Sequence, residues 1–515
     1  MNETAHNQQE KKRLDLTLMI VPFLVICLVA STFFIWPEGA TNTLYMIREF
    51  INTWLSSWIC LIGIAAIGIT IYFAASPLGK ITLGDPEKAM PRFQWGAIVF
   101  TTTMAADLLY FGICEWTFYA DDPYLATLGG SIQDWIPTMS LFHWGPTVWS
   151  FLLVMSVVFG FMMHIRNTES RKLSEACRPL LGEKMDGPLG RLFDILTILS
   201  VYAGVAASVV FAVPTIGAAI GDLFGFTAGA GTFIVIALLI GLVYAVSALI
   251  GMKSITWFSK ACVWLFLGLM AYTFLFSGRA MFMLETAITT TGNLANSFLR
   301  LSTQLDPMRE TYFPQNWTLF YWAYWLSWSV GAPFFIAQIS HGRTVRQVIV
   351  EGYAWGVAGS WIGFYIMGNY GMSLQLIDGM PLSAAVMAGE DVTSVVLTIL
   401  KTLPLPQLVV AAVAAVMILL ITTSLDSTTL IASAFSEPYL KPDELPSKRG
   451  RVFWAILLII LPISLLFAEG SLSNVQSIAI IFALPISVIL LLATASFIKD
   501  ARRYLAGDPA EKAKN

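Results

Sequence analysis

Long apolar runs recur along this sequence and restrict what it can fold into. Each run is about 20 residues long, which is the length of an α-helix that crosses a bilayer. A helix also satisfies its own backbone hydrogen bonds in hydrocarbon. The runs lie at 17–36, 54–75, 95–119, 139–165, 191–220, 231–252, 254–277, 317–340, 350–372, 407–435, 451–468 and 474–498. The pattern predicts an all-α polytopic membrane protein with about 12 transmembrane helices.

The composition supports this class and excludes several others. Hydrophobic residues make up 57% of the 515-residue chain and charged residues only 12%, whereas soluble domains have about 25% charged residues. The mean hydropathy is +0.71. A net charge of −3 gives no basic excess, so nucleic acid is not an expected partner. The five cysteines form no Cys-x-x-Cys pair, and neither His-Glu-x-x-His nor Gly-x-Ser-x-Gly occurs. An enzyme is therefore not expected.

The distribution of Lys and Arg predicts the orientation in the membrane. Basic residues concentrate in segments that fall on one side if the spans alternate, and the loop at 120–137 on the other side has neither Lys nor Arg. The positive-inside rule then places both termini in the cytoplasm. Residues 278–316 are an exception, since they carry three arginines on the outside. Their amphipathic part, 281–301, predicts a helix along the membrane surface.

The run at 317–340 contains the most informative residues of the chain. Tyr321, Tyr324, Trp325 and Trp328 share one face of a helix over two turns. Clustered ring faces attract a trimethylammonium cation, and each contributes on the order of 0.5–2 kcal/mol. Aromatic residues in membrane helices also mark the headgroup region or serve packing. A cation site and simple packing both remain open at this point.

Three motifs resemble those of a known transporter family. They are Trp-Thr-x-Phe-Tyr-Trp-Ala-x-Trp at 317–325, Ile-Ser-x-Gly-Arg-Thr-x-Arg at 339–346 and Ser-Leu-Phe-His-Trp-Gly-Pro at 140–146. The chain resembles the betaine/carnitine/choline transporter family from about its first membrane segment to its C-terminus. Within that family, the likeness is greatest to the L-carnitine/γ-butyrobetaine antiporters.

The resemblance implies an architecture. It implies a LeuT-like core of two inverted five-helix repeats, at 95–277 and 317–498, with the substrate near mid-membrane where helices are interrupted. Two extra helices would lie in 15–94, and an amphipathic periplasmic linker helix in 278–316. Residues 1–14 and 499–515 would form cytoplasmic tails. The family also implies a homotrimer in the bacterial cytoplasmic membrane.

The resemblance further implies a function and a site. The function is secondary active transport of carnitine, γ-butyrobetaine, glycine betaine or choline by alternating access. A channel is the less favoured alternative, because an aromatic box would seal a pore. The implied substrate-binding residues are Trp144, Tyr324, Trp325, Trp328, Phe118, Met104 and Ala332, and the implied outer site comprises Phe111 and Trp317.

Ionisable residues at membrane depth suggest function by default. Asp107 occupies a position that resembles one held by glycine in sodium-coupled betaine carriers and by aspartate in proton-coupled choline carriers. It could bind a proton or supply negative charge for a substrate without a carboxylate. The alternative is a hydrogen-bonded structural Asp. Glu115 and His143 are expected to be structural.

The coupling ion stays open at this stage. Thr423, Ser424 and Asp426 resemble the family's Thr-Ser-x-Asp-Ser element, whose hydroxyls would bind Na⁺ together with carbonyl oxygens. The antiporters fill that site with an arginine, but Cys262 stands at the matching position. Lys260 could take over that role or extend toward the headgroups. Na⁺, H⁺ and a built-in cation each keep a supporting residue, and no other cofactor is expected.

Overall fold

The computed structural model describes residues 14–102, 105–168, 170–250, 252–437, 446–467 and 471–507. Helices are the main regular structure of these residues, and the β-structure among them is an isolated bridge between Thr82 and Thr344. The first helices are α1 (Leu16–Ile35), α2 (Pro37–Trp54), α3 (Ser56–Ala75), α4 (Arg92–Thr102), α5 (Ala106–Cys114), α6 (Pro123–Thr127), α7 (Ile132–His143), α8 (Pro146–His164), α9 (Leu173–Leu181) and α10 (Pro188–Phe224).

The helices continue without strands to the end of the described chain. They are α11 (Ala230–Ile250), α12 (Met252–Phe276), α13 (Ala280–Thr303), α14 (Leu319–Trp328), α15 (Gly331–Ile339), α16 (Val345–Gly363), α17 (Asn369–Leu376), α18 (Leu382–Met387), α19 (Val392–Lys401), α20 (Pro406–Phe435), α21 (Lys448–Phe467) and α22 (Ser471–Ala506). Short 3₁₀ turns occur between some of them, and π-helical turns precede α14 and α17.

Seven helices of the described residues are long and apolar enough to cross a membrane, and counting two bent pairs raises the number to nine. This confirms an all-helical, membrane-spanning chain, with fewer uninterrupted spans than the 12 predicted. Some of the predicted runs are broken within the described residues, which accounts for part of the difference. The run at 317–340 divides into α14 and α15, and the run at 350–372 contains a π-helical turn at Phe364–Gly368.

Both predicted repeats begin with an interrupted helix. α4 and the segment Ala106–Phe118 are bent by 67°, and α14 ends at Trp328 before α15 begins at Gly331. Backbone groups released by a break at membrane depth need protein partners or a water-lined cavity. The two interruptions therefore mark the part of the bundle where a ligand can meet free backbone and polar side chains.

Helix α10 is the central element against which the broken helices pack. It runs for 37 residues, beginning with Pro188 at its first position and ending before Gly225, which has a φ of 77°. Proline has no N–H to lose at a helix start, and glycine adopts the left-handed conformation that ends a helix. α10 packs against α5, α14, α20 and α22. It thereby joins the two interrupted helices across the site.

Helix α13 lies in the predicted amphipathic linker and is bent by 111° from the end of α12. Met281, Leu284 and Ile288 are exposed, whereas Met283 and Leu294 are buried. The exposed residues are spaced by three and four positions, so they share one face of the helix. This division agrees with a helix that packs on the protein and turns an apolar face outward.

Arg343 joins three segments at one end of the bundle, and its contacts are called the Arg343 cluster below. Its guanidinium donates to Glu351 Oε2 and to the Met90 carbonyl, both at 3.0 Å. It also lies 4.5 Å from the centre of the Trp95 ring, and Trp95 Nε1 donates to Ser340 Oγ at 3.1 Å. The start of α4, the end of α15 and the first turns of α16 are thus held together.

Candidate substrate-binding site

Trp144 and Trp325 form the core of a buried aromatic cluster. Trp144 lies where α7 ends and Pro146 begins α8, so the chain turns at this residue. The two ring centres are 5.5 Å apart with planes at 82°, and the Trp149 ring centre lies 6.4 Å from that of Trp325. Trp144 is 1% exposed and Trp325 6%. Two ring planes near a right angle, shielded from water, can present π-electron density to one cation.

Glu115 links Trp144 of this cluster to Tyr119 through two hydrogen bonds. Its carboxylate accepts from Trp144 Nε1 at 2.6 Å and from the Tyr119 hydroxyl at 2.7 Å. Because the Tyr119 proton goes to Glu115, the 2.9 Å contact with His143 Nδ1 assigns the proton of that contact to the imidazole. His143 Nε2 then accepts from the Thr318 hydroxyl at 3.0 Å. These contacts agree with the structural roles expected for Glu115 and His143.

Asp107 forms a second polar centre, bound by two hydroxyl groups. Tyr324 donates to Oδ2 at 2.7 Å, and Ser208 of α10 donates to Oδ1 at 3.0 Å. Asp107 is 4% exposed and lies in the first turn of α5, where the helix dipole favours negative charge. Within the described part of the chain, Asp107 takes part in no ion pair. Among the described residues, the site therefore holds an acid with hydrogen-bond donors but without a paired protein cation.

The predicted aromatic face of α14 divides between these two centres. Tyr321 and Trp325 contact Trp144, with ring centres 5.7 and 5.5 Å away. Tyr324 instead donates its hydroxyl to Asp107, and Trp328 is half-buried. The four residues are one helical face in sequence, but they serve two neighbouring surfaces in the fold.

Glycine 204 of α10 explains how Trp328 fits against the central helix. A Cβ at Gly204 would lie 3.1 Å from atoms of the Trp328 indole, which is a tighter contact than most Cβ atoms make in proteins. The missing side chain therefore admits the indole beside α10, on the same helix that carries Ser208.

The aromatic contacts of Phe118 and Phe111 do not follow the predicted division into a central site and an outer site. Phe118 stacks on Trp317 at 4.9 Å, so it lies with the predicted outer residue. Phe111 contacts Trp144 at 5.8 Å and Tyr321 at 5.4 Å, so it lies against the central cluster. Ala332 is half-buried in α15 just after the helix interruption. Met104 lies outside the described residues.

The other predicted ion-coupling residues differ from Asp107 and from one another in their settings. Thr423 and Ser424 are half-buried on α20, and the Thr423 hydroxyl donates to the carbonyl of Leu419 in its own helix at 2.8 Å. Asp426 is 2% exposed. Lys260 is exposed on α12, which favours the interpretation that its ammonium extends toward the headgroups. Among the described residues, no group of three or more His, Cys, Asp or Glu could hold a metal ion.

Ser208 is a site residue that the sequence did not reveal. It is one serine in a long apolar helix, and its partner Asp107 is 101 residues away in the chain. A small hydroxyl in such a helix most often donates to its own backbone. Only the fold identifies its contact with a carboxylate.

Comparison with known proteins gives the site its context. Residues 17–506 match the family described as BCCT, betaine/carnitine/choline family transporter. A carnitine transporter of Acinetobacter baumannii is 25% identical over 96% of this chain and 90% of its own length. A glycine betaine transporter of Acinetobacter baylyi is 28% identical over 94% of this chain and 72% of its own length. An osmo-independent choline transporter of Acinetobacter baylyi is 28% identical over 91% of this chain and 89% of its own length.

These relatives differ in substrate but resemble the chain to a similar degree, so they do not single out the antiporter branch. The family match covers nearly the whole chain and every element of the aromatic site. The chain belongs to the betaine/carnitine/choline transporter family, and it is a multi-pass membrane transporter of such quaternary ammonium compounds, not an enzyme.

Proposed function

We propose that the protein is a secondary active carrier that holds the trimethylammonium group of its substrate against Trp144 and Trp325. The observation that carries this proposal is the buried corner formed by these two rings beside an interrupted helix. A trimethylammonium group cannot form hydrogen bonds through its methyl groups, so ring faces and nearby negative charge are its natural partners. Relatives that carry carnitine, glycine betaine and choline support this class of substrate.

We further propose that Asp107 supplies the negative charge on which substrate choice or coupling depends. A buried carboxylate with two hydroxyl donors and no protein cation among the described residues is costly at membrane depth. A cationic substrate or a proton would relieve that cost. By analogy with the antiporters, carnitine/γ-butyrobetaine exchange would require a built-in cation at the ion site. Lys260 is exposed, so it gives this model less support than Asp107 gives to a proton or a cationic substrate.

The proposed transport cycle is alternating access between two inverted five-helix repeats. The interruptions at the start of both predicted repeats support this arrangement, because transporter sites form where helices are discontinuous. The basic segments support termini on the cytoplasmic side of a bacterial cytoplasmic membrane. A homotrimer is proposed on the family resemblance.

Uptake into proteoliposomes tests the function. Radiolabelled carnitine, glycine betaine and choline are each offered with and without a Na⁺ gradient, a pH gradient and unlabelled substrate inside. We expect saturable uptake of at least one compound, and Trp325→Ala should strongly reduce it at substrate concentrations below the wild-type KM. No saturable uptake of any of them would refute the proposal.

The same experiment assigns the coupling. Uptake driven by Na⁺ would point to Thr423 and Ser424, and uptake driven by a pH gradient would point to Asp107. Uptake that requires only internal substrate would mean exchange and would return Lys260 to consideration.

A further inference from the structure

We propose that Tyr324 and Ser208 are positioning residues that hold the Asp107 carboxylate for the ammonium group of the substrate. In this arrangement Tyr324 acts through its hydroxyl and not as a ring wall of the aromatic site. The inference rests on the proposed function, since it requires a carrier that binds a trimethylammonium compound.

The first argument is the number of protons available around Asp107. The Tyr324 and Ser208 hydroxyls each have one proton, and each can donate it to a different oxygen of the carboxylate, at 2.7 and 3.0 Å. The two hydroxyl oxygens are 3.1 Å apart, but both protons are then already in use. An ionised carboxylate only accepts hydrogen bonds. The arrangement therefore suits the ionised acid, and one hydroxyl holds each of its two oxygens in place.

The second argument concerns the ring of Tyr324. Its aromatic neighbour is Phe320, with ring centres 5.9 Å apart, whereas the Trp144 ring contacts Tyr321 and Trp325. In the described chain, no ring contact joins Tyr324 to Trp144 or Trp325. The sequence predicts the Tyr324 ring as a wall of the aromatic site, but the ring packs on Phe320 instead, and its hydroxyl donates to Asp107.

The third argument is the position of the acid relative to the aromatic cluster. Phe111 lies one turn after Asp107 on α5 and contacts Trp144. Tyr324 directly precedes Trp325 on α14. The carboxylate is therefore adjacent in both helices to residues of the cluster. A substrate ammonium at Trp144 and Trp325 would meet the negative charge of Asp107 nearby, with little water to screen it.

This placement predicts a preference between substrates. A monocation such as choline gains from the carboxylate, whereas a zwitterion such as glycine betaine brings a carboxylate of its own that Asp107 repels. Loss of a hydroxyl that holds Asp107 should therefore weaken choline binding more than glycine betaine binding. Because a hydrogen bond to a charged group is strong, we expect the choline-to-betaine affinity ratio to fall about tenfold.

The test is equilibrium binding of both compounds to purified Tyr324→Phe and Ser208→Ala variants. Tyr324→Phe keeps the ring and removes only the hydroxyl, so it separates the two roles of this residue. The matched controls are Tyr353→Phe, whose residue is half-buried and whose hydroxyl bonds to two other hydroxyls, and Ser156→Ala, whose hydroxyl bonds to its own helix. We expect both controls to keep the wild-type choline-to-betaine ratio. Ser208→Thr, which keeps a hydroxyl, should keep it as well.

Three outcomes would overturn the inference. The first is an unchanged choline-to-betaine ratio in both test variants. The second is a change that persists fully when Asp107→Asn is also present, because the hydroxyls would then act through another group. The third is a wild-type protein that binds glycine betaine but not choline. A protein that binds no trimethylammonium compound would instead refute the proposed function. If Tyr324→Phe fails to assemble, Ser208→Ala and Ser208→Thr decide the question.

Discussion

Replacing Trp325 with leucine tests the cation site most directly. The indole is 6% exposed and borders Trp144 and Trp149. In such a dry setting one ring face contributes about 1–2 kcal/mol to cation binding. Because 1.4 kcal/mol is a factor of ten, Trp325→Leu should raise the Kd about fivefold to thirtyfold. The substitution also removes ring contacts within the protein, and that loss lowers folding stability without acting on the ligand. Affinity and melting temperature must therefore both be measured.

A second buried tryptophan separates binding from folding. Trp454 is fully buried in α21, where Nε1 donates to Ser436 Oγ at 2.7 Å, and it lies outside the aromatic cluster. Trp454→Leu should lower the melting temperature but leave the Kd unchanged. Binding is measured with choline and with its neutral isostere, in which a quaternary carbon replaces the nitrogen. Trp325→Leu should weaken choline binding more than isostere binding. Equal losses for both ligands, or the same loss in Trp454→Leu, would refute a cation–π site.

Three further changes test other parts of the structure. Glu115→Gln leaves one acceptor oxygen for two donors, so the Trp144 indole loses its fixed position and substrate affinity should fall roughly fivefold to tenfold; binding at unchanged Kd would contradict this. The Arg178 guanidinium holds the pKa of the Asp186 carboxyl below its usual range. The pair therefore stabilises the fold above the unfolded-state pKa and loses this effect as the pH falls through the folded-state pKa. The melting temperatures of wild type and Asp186→Asn should converge over that interval, and a constant difference would argue against it. Arg343→Ala should open its end of the bundle, so a Ser340→Cys thiol, at a position that is fully buried, should react with a thiol reagent on the order of tenfold faster; an unchanged rate would assign the cluster to stability alone.

Hydropathy correctly predicted the uninterrupted helices, which satisfy their own backbone hydrogen bonds. α1, α3 and α20 coincide closely with apolar runs, because a membrane helix needs length and apolar side chains above all. Interrupted helices are harder to predict, since the residues around a break remain apolar. Gly331 and Pro333 lie just after the end of α14 at Trp328, but a measure of apolar run length alone does not register such helix breakers. Such breaks are stabilised by neighbouring helices, which a local pattern does not contain.

The polar centre of the site was predicted only in part. Asp107 was identifiable because an acid in an apolar run is rare. Its donors were not, since Tyr324 and Ser208 come from helices distant in sequence. Helical spacing placed Tyr324 with Trp325, yet adjacent residues differ by about 100° around the helix. The fold around α10 decides which of the two faces the acid and which faces Trp144.

The Arg343 cluster bears on how any measured affinity is interpreted. Its contacts join α4, α15 and α16 at one end of the bundle, so they weight the population of conformations closed at that end. When only a fraction of molecules is competent to bind, the apparent Kd is the intrinsic Kd divided by that fraction. A substitution at Arg343 can therefore change apparent affinity on both sides of the membrane without touching the ligand. Substrate preference expressed as a ratio for two ligands that bind the same conformation is free of this effect.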